Sequence, residues 1–177
     1  ALVGDFVHQA HSAADFLETA LATGDAYDGF NLLLADATGV WYGSNRGSAA
    51  RRLGIGLHGL SNHLIDTPWP KVLRAKHAME RALAGDVSRL EATLLSVLRD
   101  DAPASDEELP STGVSLEWER LLSPVFIRAA GYGTRASTVV TVDTCGHATF
   151  LERTFDAAGD ESGDVRMAFN LAKPISI

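Results

Sequence analysis

Apolar residues recur at two spacings along this chain, and the spacing alone sorts most of it into helices and strands. Leu2 with Phe6 and Val3 with Val7 stand one helical turn apart, so each pair shares a face. Ser12 offers an N-cap for a second helix reaching to about Thr23, in which Phe16–Ala20 and Leu17–Leu21 form a core-facing stripe. Beyond Pro70, residues Val72, Ala75, Met79 and Ala82 repeat at helical spacing, with Lys71, Arg74 and Arg81 off the stripe. Gly85 ends that helix, and Asp86 caps the next, which carries Leu90, Leu94 and Leu98. A short amphipathic segment follows between Glu117 and Arg128.

The second spacing is that of strands. GFNLLLAD (Gly29 to Asp36) and VWYGSNR (Val40 to Arg46) flank Ala37-Thr38-Gly39 and read as a hairpin. The first strand is apolar on both faces, Phe30, Leu32 and Leu34 on one and Leu33 and Ala35 on the other, which predicts cover on both sides. Asn31 interrupts the second face. A buried amide needs partners, so it either braces the backbone or faces a site. Leu53 to Leu60 reads as a glycine-rich strand, and Ser137 to Asp143 pairs with His147 to Phe155 across a turn at Cys145-Gly146. Asp100 to Gly113 and Asp156 to Asp164 are acidic loops, and a last strand carries Val165, Met167, Phe169 and Leu171 on one face. The order of helices, strands, helices and strands, with no repeat or linker, predicts one α+β layered domain over residues 1–177.

Composition narrows the function. The chain is 46% hydrophobic and 21% charged, the balance of a globular protein. A net charge of −8 argues against general nucleic-acid binding, which needs a basic face, but leaves room for a local basic patch. Cys145 is the single cysteine, which excludes an intrachain disulfide and a multi-thiolate metal site and fits a reducing, cytoplasmic compartment. No apolar run approaches the roughly 20 residues that span a bilayer, and the opening residues do not carry the charged-then-apolar pattern expected of a signal segment. The opening ALVGDFVHQ reads as mid-helix without an N-cap, so the N-terminus is expected to be incomplete.

The densest chemistry lies in GLHGLSNHLIDTPWPKV, Gly56 to Val72. Gly56 and Gly59 permit close approach, Ser61 and Asn62 offer hydrogen-bonding side chains, and Pro68 and Pro70 suit entry into a helix. His58, beside two glycines, is either satisfied by backbone groups or placed for axial contact with haem iron. His8 and His11 lack a nearby carboxylate pair, and no free metal ion is expected. Arg135, among Gly131, Gly133, Thr134 and Ser137, is either a surface arginine or a clamp for a carboxylate or phosphate. Lys71 and Arg74 are either a solvated helix face or further positive charge for an anion. Ser61 lacks a GxSxG elbow, and GYGTRAS precedes a strand rather than a helix, so neither a serine hydrolase nor a dinucleotide fold is indicated.

Taken in order, GFNLLLAD, YGSNR, GLHGLSNHLIDTPWPKV and YGTRAST resemble the transport and Golgi organisation 2 family, also called NRDE proteins. The resemblance covers nearly the whole chain, and GLSN with PWPK is its specific block. It implies an αββα sandwich similar to N-terminal nucleophile hydrolases, with mostly antiparallel sheets flanked by helices. This chain departs from the pattern: it begins with Ala1, has no Asn-Arg-Asp-Glu motif, and carries Cys145 far from any N-terminal position. By order of elements, Asn62 resembles the oxyanion-holding asparagine of penicillin and bile-salt acylases, and Arg135 the arginine that assists their nucleophile. Both are supporting roles without a nucleophile. The family is implicated in moving haem and in handling acyl-coenzyme A lipids, so the implied partner is an amphipathic anionic small molecule. Trp41, Leu60 and Trp69 suit its apolar body, and Arg135, Lys71 and Arg74 its charge. Asn31, His58, His63, Trp69, Lys71 and Arg135 are the expected ligand-binding residues, with His58 or His63 in weak contact with iron. The favoured expectation is a haem-trafficking protein. An N-terminal-cysteine amidohydrolase or thioesterase, or an acyl-coenzyme A binder, is the alternative.

Overall fold

The computed structural model describes residues 2–8 and 12–175; His11 lies outside them. Helix α1 (Leu2–His8) leads to α2 (Ala13–Ala22), whose N-cap Ser12 accepts from the Asp15 amide. The Asp36 carboxylate takes a further first-turn donor, Ala13 N, at 2.7 Å, so one helix end and one strand end secure each other. The buried stripe of α2, Ala13, Phe16, Leu17 and Ala20, packs on a three-stranded antiparallel sheet of order β1-β2-β3. Its strands are β1 (Asn31–Asp36), β2 (Gly39–Ser44) and β3 (Ser48–Arg52). Leu32 and Leu34 complete this core. A Cβ at Gly43 would meet Leu21 Cδ1 at 2.9 Å, so the glycine sets how closely helix and sheet approach.

Two strand expectations need correction. Strand β1 is covered on one face only, because the helical layer lies on the side of Leu32 and Leu34 while Leu33 remains 46% exposed. The glycine-rich run Leu53 to Leu60 is not a strand. The β-ladder extends one residue beyond β3, through Leu53 N to Val40 O at 2.8 Å, and then gives way to irregular backbone. Gly54, Gly56 and Gly59 supply little side chain to pack, and Gly56 adopts φ +148, outside strand geometry.

Helix α3 (Pro70–Leu83) packs against α4 (Leu90–Leu98), and α4 lies on the second sheet. Asp86 caps a single 3-10 turn, Val87–Arg89, that feeds α4. A short α5 (Leu116–Leu122) and a two-residue ribbon of β4 (Arg128–Ala129) and β5 (Tyr132–Gly133) follow. The second sheet is antiparallel, β6-β7-β8, from β6 (Ala136–Val142), β7 (His147–Phe155) and β8 (Glu161–Asn170). Its last strand begins inside the segment expected as acidic loop, because Asp156 folds a tight turn, accepting from the amides of Ala158 and Asp160. Glu91 ties α4 to the helical face of this sheet through Thr149 and Arg166. The opposite face carries Val140, Val142, Val165, Met167 and Phe169, all exposed. The α+β class holds: antiparallel sheets, each with a helical layer on one face.

Candidate functional site

The segment between β3 and α3 has no regular structure, yet one carboxylate organises it. Asp66 sits at φ +61, a left-handed conformation that aspartate tolerates better than most residues. Its Oδ1 accepts from Gly59 N at 2.9 Å and Lys76 Nζ at 2.8 Å, and its Oδ2 contacts His58 Nδ1 at 2.8 Å. Asp66 N donates back to Gly59 O at 2.7 Å. Burial opposes ionisation, but the bonds from Lys76, His58 and Gly59 outweigh it and hold this carboxyl well below the usual carboxylate range. His58 Nε2 lies 3.0 Å from Gly54 O. Both ring nitrogens thus face oxygen acceptors, and neither points a lone pair at open space.

Asn31 joins the same scaffold from the first sheet. Tyr42 Oη donates to Asn31 Oδ1 at 2.6 Å and accepts from Ile65 N at 3.1 Å. With Tyr42 fully buried, this relay fixes the loop to β1 and β2, and Asn31 acts as a brace. His63 contacts Thr67 Oγ1 through Nδ1 at 2.8 Å and packs over Trp69 at 5.7 Å between ring centroids. Trp69 occupies the N-cap position of α3, with Pro70 in the first turn.

The braced loop forms one wall of a groove of about 410 Å³. Leu60 and Ser61 face Val72, Ala75 and Met79 of α3 across it, with Leu94 of α4 adding to its floor. His58, Lys71 and Lys76 supply the polar lining. Lys76 is neutralised by Asp66. Lys71 is half-buried and donates to Leu122 O at 2.7 Å, a neutral acceptor. Burial lowers its pKa, and the negative charge of Glu119 only partly restores it.

Lys71 also lines a second cleft, of about 370 Å³, together with Asn62, Trp69, Glu119 and Tyr132. Glu119 is 7% exposed and accepts from Thr112 through both N and Oγ1. Arg135 lines a smaller hollow of about 110 Å³ that shares Ile127 and Tyr132 with this cleft. Its carbonyl is fixed by Phe155 N at 2.9 Å. The structure therefore brings Asn62, Trp69 and Lys71 together, sets Arg135 behind a shared wall, and puts His58 at the other side of Lys71. Arg74 turns away, bonding Ala102 O and pairing with Asp100. Trp41 belongs to the first hairpin, its Nε1 donating to Thr38 Oγ1 at 3.1 Å.

Residues 1–157 match the family model described as Transport and Golgi organisation 2. The chain belongs to this family. It is 34% identical over 169 residues to the Transport and Golgi organization protein 2 homolog of Bos taurus, with 86% of this chain and 60% of the relative covered. The corresponding protein of Homo sapiens is 35% identical over 169 residues, and that of Mus musculus 30% over 165, with the same coverage. The chain thus spans 60% of the length of these curated family members. The region shared with the family takes in the whole Asp66 loop, both faces of Lys71, and Arg135. Among the described residues, no helix is long and apolar enough to cross a membrane.

Asp66, Lys76, Tyr42 and Glu119 escaped the sequence reading. Only Asp66 had a local signal, the Asp-Thr-Pro turn chemistry before α3. The others act through partners distant in the chain.

Proposed function

We propose that this chain binds haem reversibly, as a carrier, in the groove between the Asp66 loop, α3 and α4. The observation that carries this reading is the pairing of apolar walls with Lys71, a half-buried cation held by a neutral carbonyl. The groove's volume of about 410 Å³ falls in the range of small-molecule sites, roughly 300–1,000 Å³. Val72, Ala75, Met79 and Leu94 suit the apolar macrocycle, and Lys71 suits a propionate. Haem is cargo here, and the donor set matches that role. His58 is engaged by Asp66 and Gly54, so the soft donor left in the groove is the Met79 thioether, a weak ligand. Weak ligation favours release. Titration of the protein into haem should shift the Soret band at micromolar protein, and Lys71→Met should weaken binding about tenfold by removing a charge-assisted hydrogen bond. No Soret change, or equal affinity in the variant, contradicts the reading.

A second reading has one observation in its favour: Asn62 and Arg135 lie on neighbouring hollows that share Ile127 and Tyr132. An amidohydrolase or thioesterase would use Asn62 to hold an oxyanion there, with a nucleophile brought to the same cleft. Acyl-thioester hydrolysis that falls about 10²-fold or more in Asn62→Ala supports it. Hydrolysis indifferent to that change removes it.

A further inference from the structure

Helix α4 separates the groove from another cavity, of about 470 Å³, on its far side against β7. Leu94, Val97 and Leu98 face the groove, whereas Ala92, Ser96 and Arg99 face this cavity. Arg99 follows the last turn of α4, and its guanidinium carbon lies 4.1 Å from the ring centroid of Phe126 and 4.8 Å from that of Phe155. The two rings are themselves edge-to-face at 4.8 Å and 83°, and both are buried. Aromatic rings stabilise the cation through their faces but do not replace an oxygen acceptor for its N–H groups. Arg99 Nη1 is fully buried and has no hydrogen-bond partner among the described residues.

The neighbouring charges make this arginine distinctive. Glu91 is taken by Thr149 and Arg166, and Glu161 by Arg153, which also pairs with Asp164. The acids lining this cavity are therefore matched to other cations, while Arg99 has no carboxylate partner among the described residues. Its planar fork is positioned in advance by the two buried rings, which cover part of the guanidinium, and Arg153 adds a second guanidinium to the cavity lining. The geometry points to a binding site here for the carboxylate or phosphate group of a small molecule, with Arg99 as the central donor. The site is separate from the haem groove and does not depend on it.

Thermal unfolding in sodium phosphate, sodium benzoate and sodium chloride at matched ionic strength tests this directly. A rise in Tm beyond the chloride control with phosphate, benzoate or both supports the site, and the pattern tells which oxyanion it prefers. No rise with either overturns it. Arg99→Met keeps an unbranched apolar stem beside the rings and removes the donors, so it should abolish the rise; a rise that persists overturns the proposal. Should that variant fail to fold, Ala92→Phe decides, because it fills the cavity without altering the guanidinium. Loss of the rise in Ala92→Phe supports the site, and its retention overturns it.

Discussion

At the scale of single residues, Asp66 organises the site. It receives Gly59 N, Lys76 and His58, and so joins the loop to α3 through side-chain and backbone bonds together. Asp66→Asn preserves size and tolerance of a left-handed backbone, and isolates the charge. It should cost about 1–2 kcal/mol near neutral pH, since hydrogen bonds to a charged group are the strong ones. The pH dependence has a definite sign. A carboxyl whose folded pKa is depressed contributes stability above its unfolded pKa, near 3.9, and loses that contribution as pH falls further. Urea unfolding of the two proteins should therefore differ most above about pH 5, with the difference shrinking progressively as pH falls below about 4 and closing only well into the acid range. A difference that stays flat from about pH 5 down to about pH 2 contradicts the assignment. His58 follows from the same geometry: the alternative of a ring held by protein oxygens describes it, and the iron contact passes to Met79 in the proposed carrier.

At the scale of elements, the groove exists because a glycine lets the loop lie against a helix. A Cβ at Gly59 would stand 2.5 Å from Val72 Cγ1, and Val72 is buried and cannot retreat easily. Gly59→Ala should destabilise the protein by about 1–3 kcal/mol by overpacking, and should displace the loop wall enough to weaken the proposed haem binding. Unchanged Tm and unchanged affinity would show that loop and helix are not in the close contact described. The sequence made the helices and most strands legible because their apolar spacing is local and regular. Ser12, Asp86 and the run from Pro70 act through contacts within a few residues. The Leu53 to Leu60 segment was misread for the opposite reason. Its apolar alternation suits a strand, but its glycines and the bonds of His58 and Gly59 to Asp66 make an ordered loop instead. Periodicity carries no information about such distant bonds.

At the scale of the whole molecule, two apolar surfaces are open to the proposed amphipathic ligand. One is the groove. The other is the open face of the second sheet, where Val165, Met167 and Phe169 share a face with Phe150, and whose Val140 edge reaches the groove. The alternation placed the β8 residues on one face, but it could not tell whether that face is covered, because cover depends on which layers the chain supplies. Likewise, Asn62, Trp69, Lys71 and Arg135 were legible as residue types near loops. That Lys71 stands between two cavities was not, since it depends on α4 packing against α3 and on Leu122 O, at the end of α5, accepting from its ammonium. The chain's two methionines report on the two surfaces separately: Met79 lines the groove, and Met167, 51% exposed, marks the sheet face. The decisive measurement is methyl NMR of methionine-labelled protein during titration with paramagnetic ferric haem. With haem in the groove, the Met79 methyl signal should broaden away at stoichiometric haem while that of Met167 persists. Loss of the Met167 signal first, or of neither, would contradict a haem site in the groove.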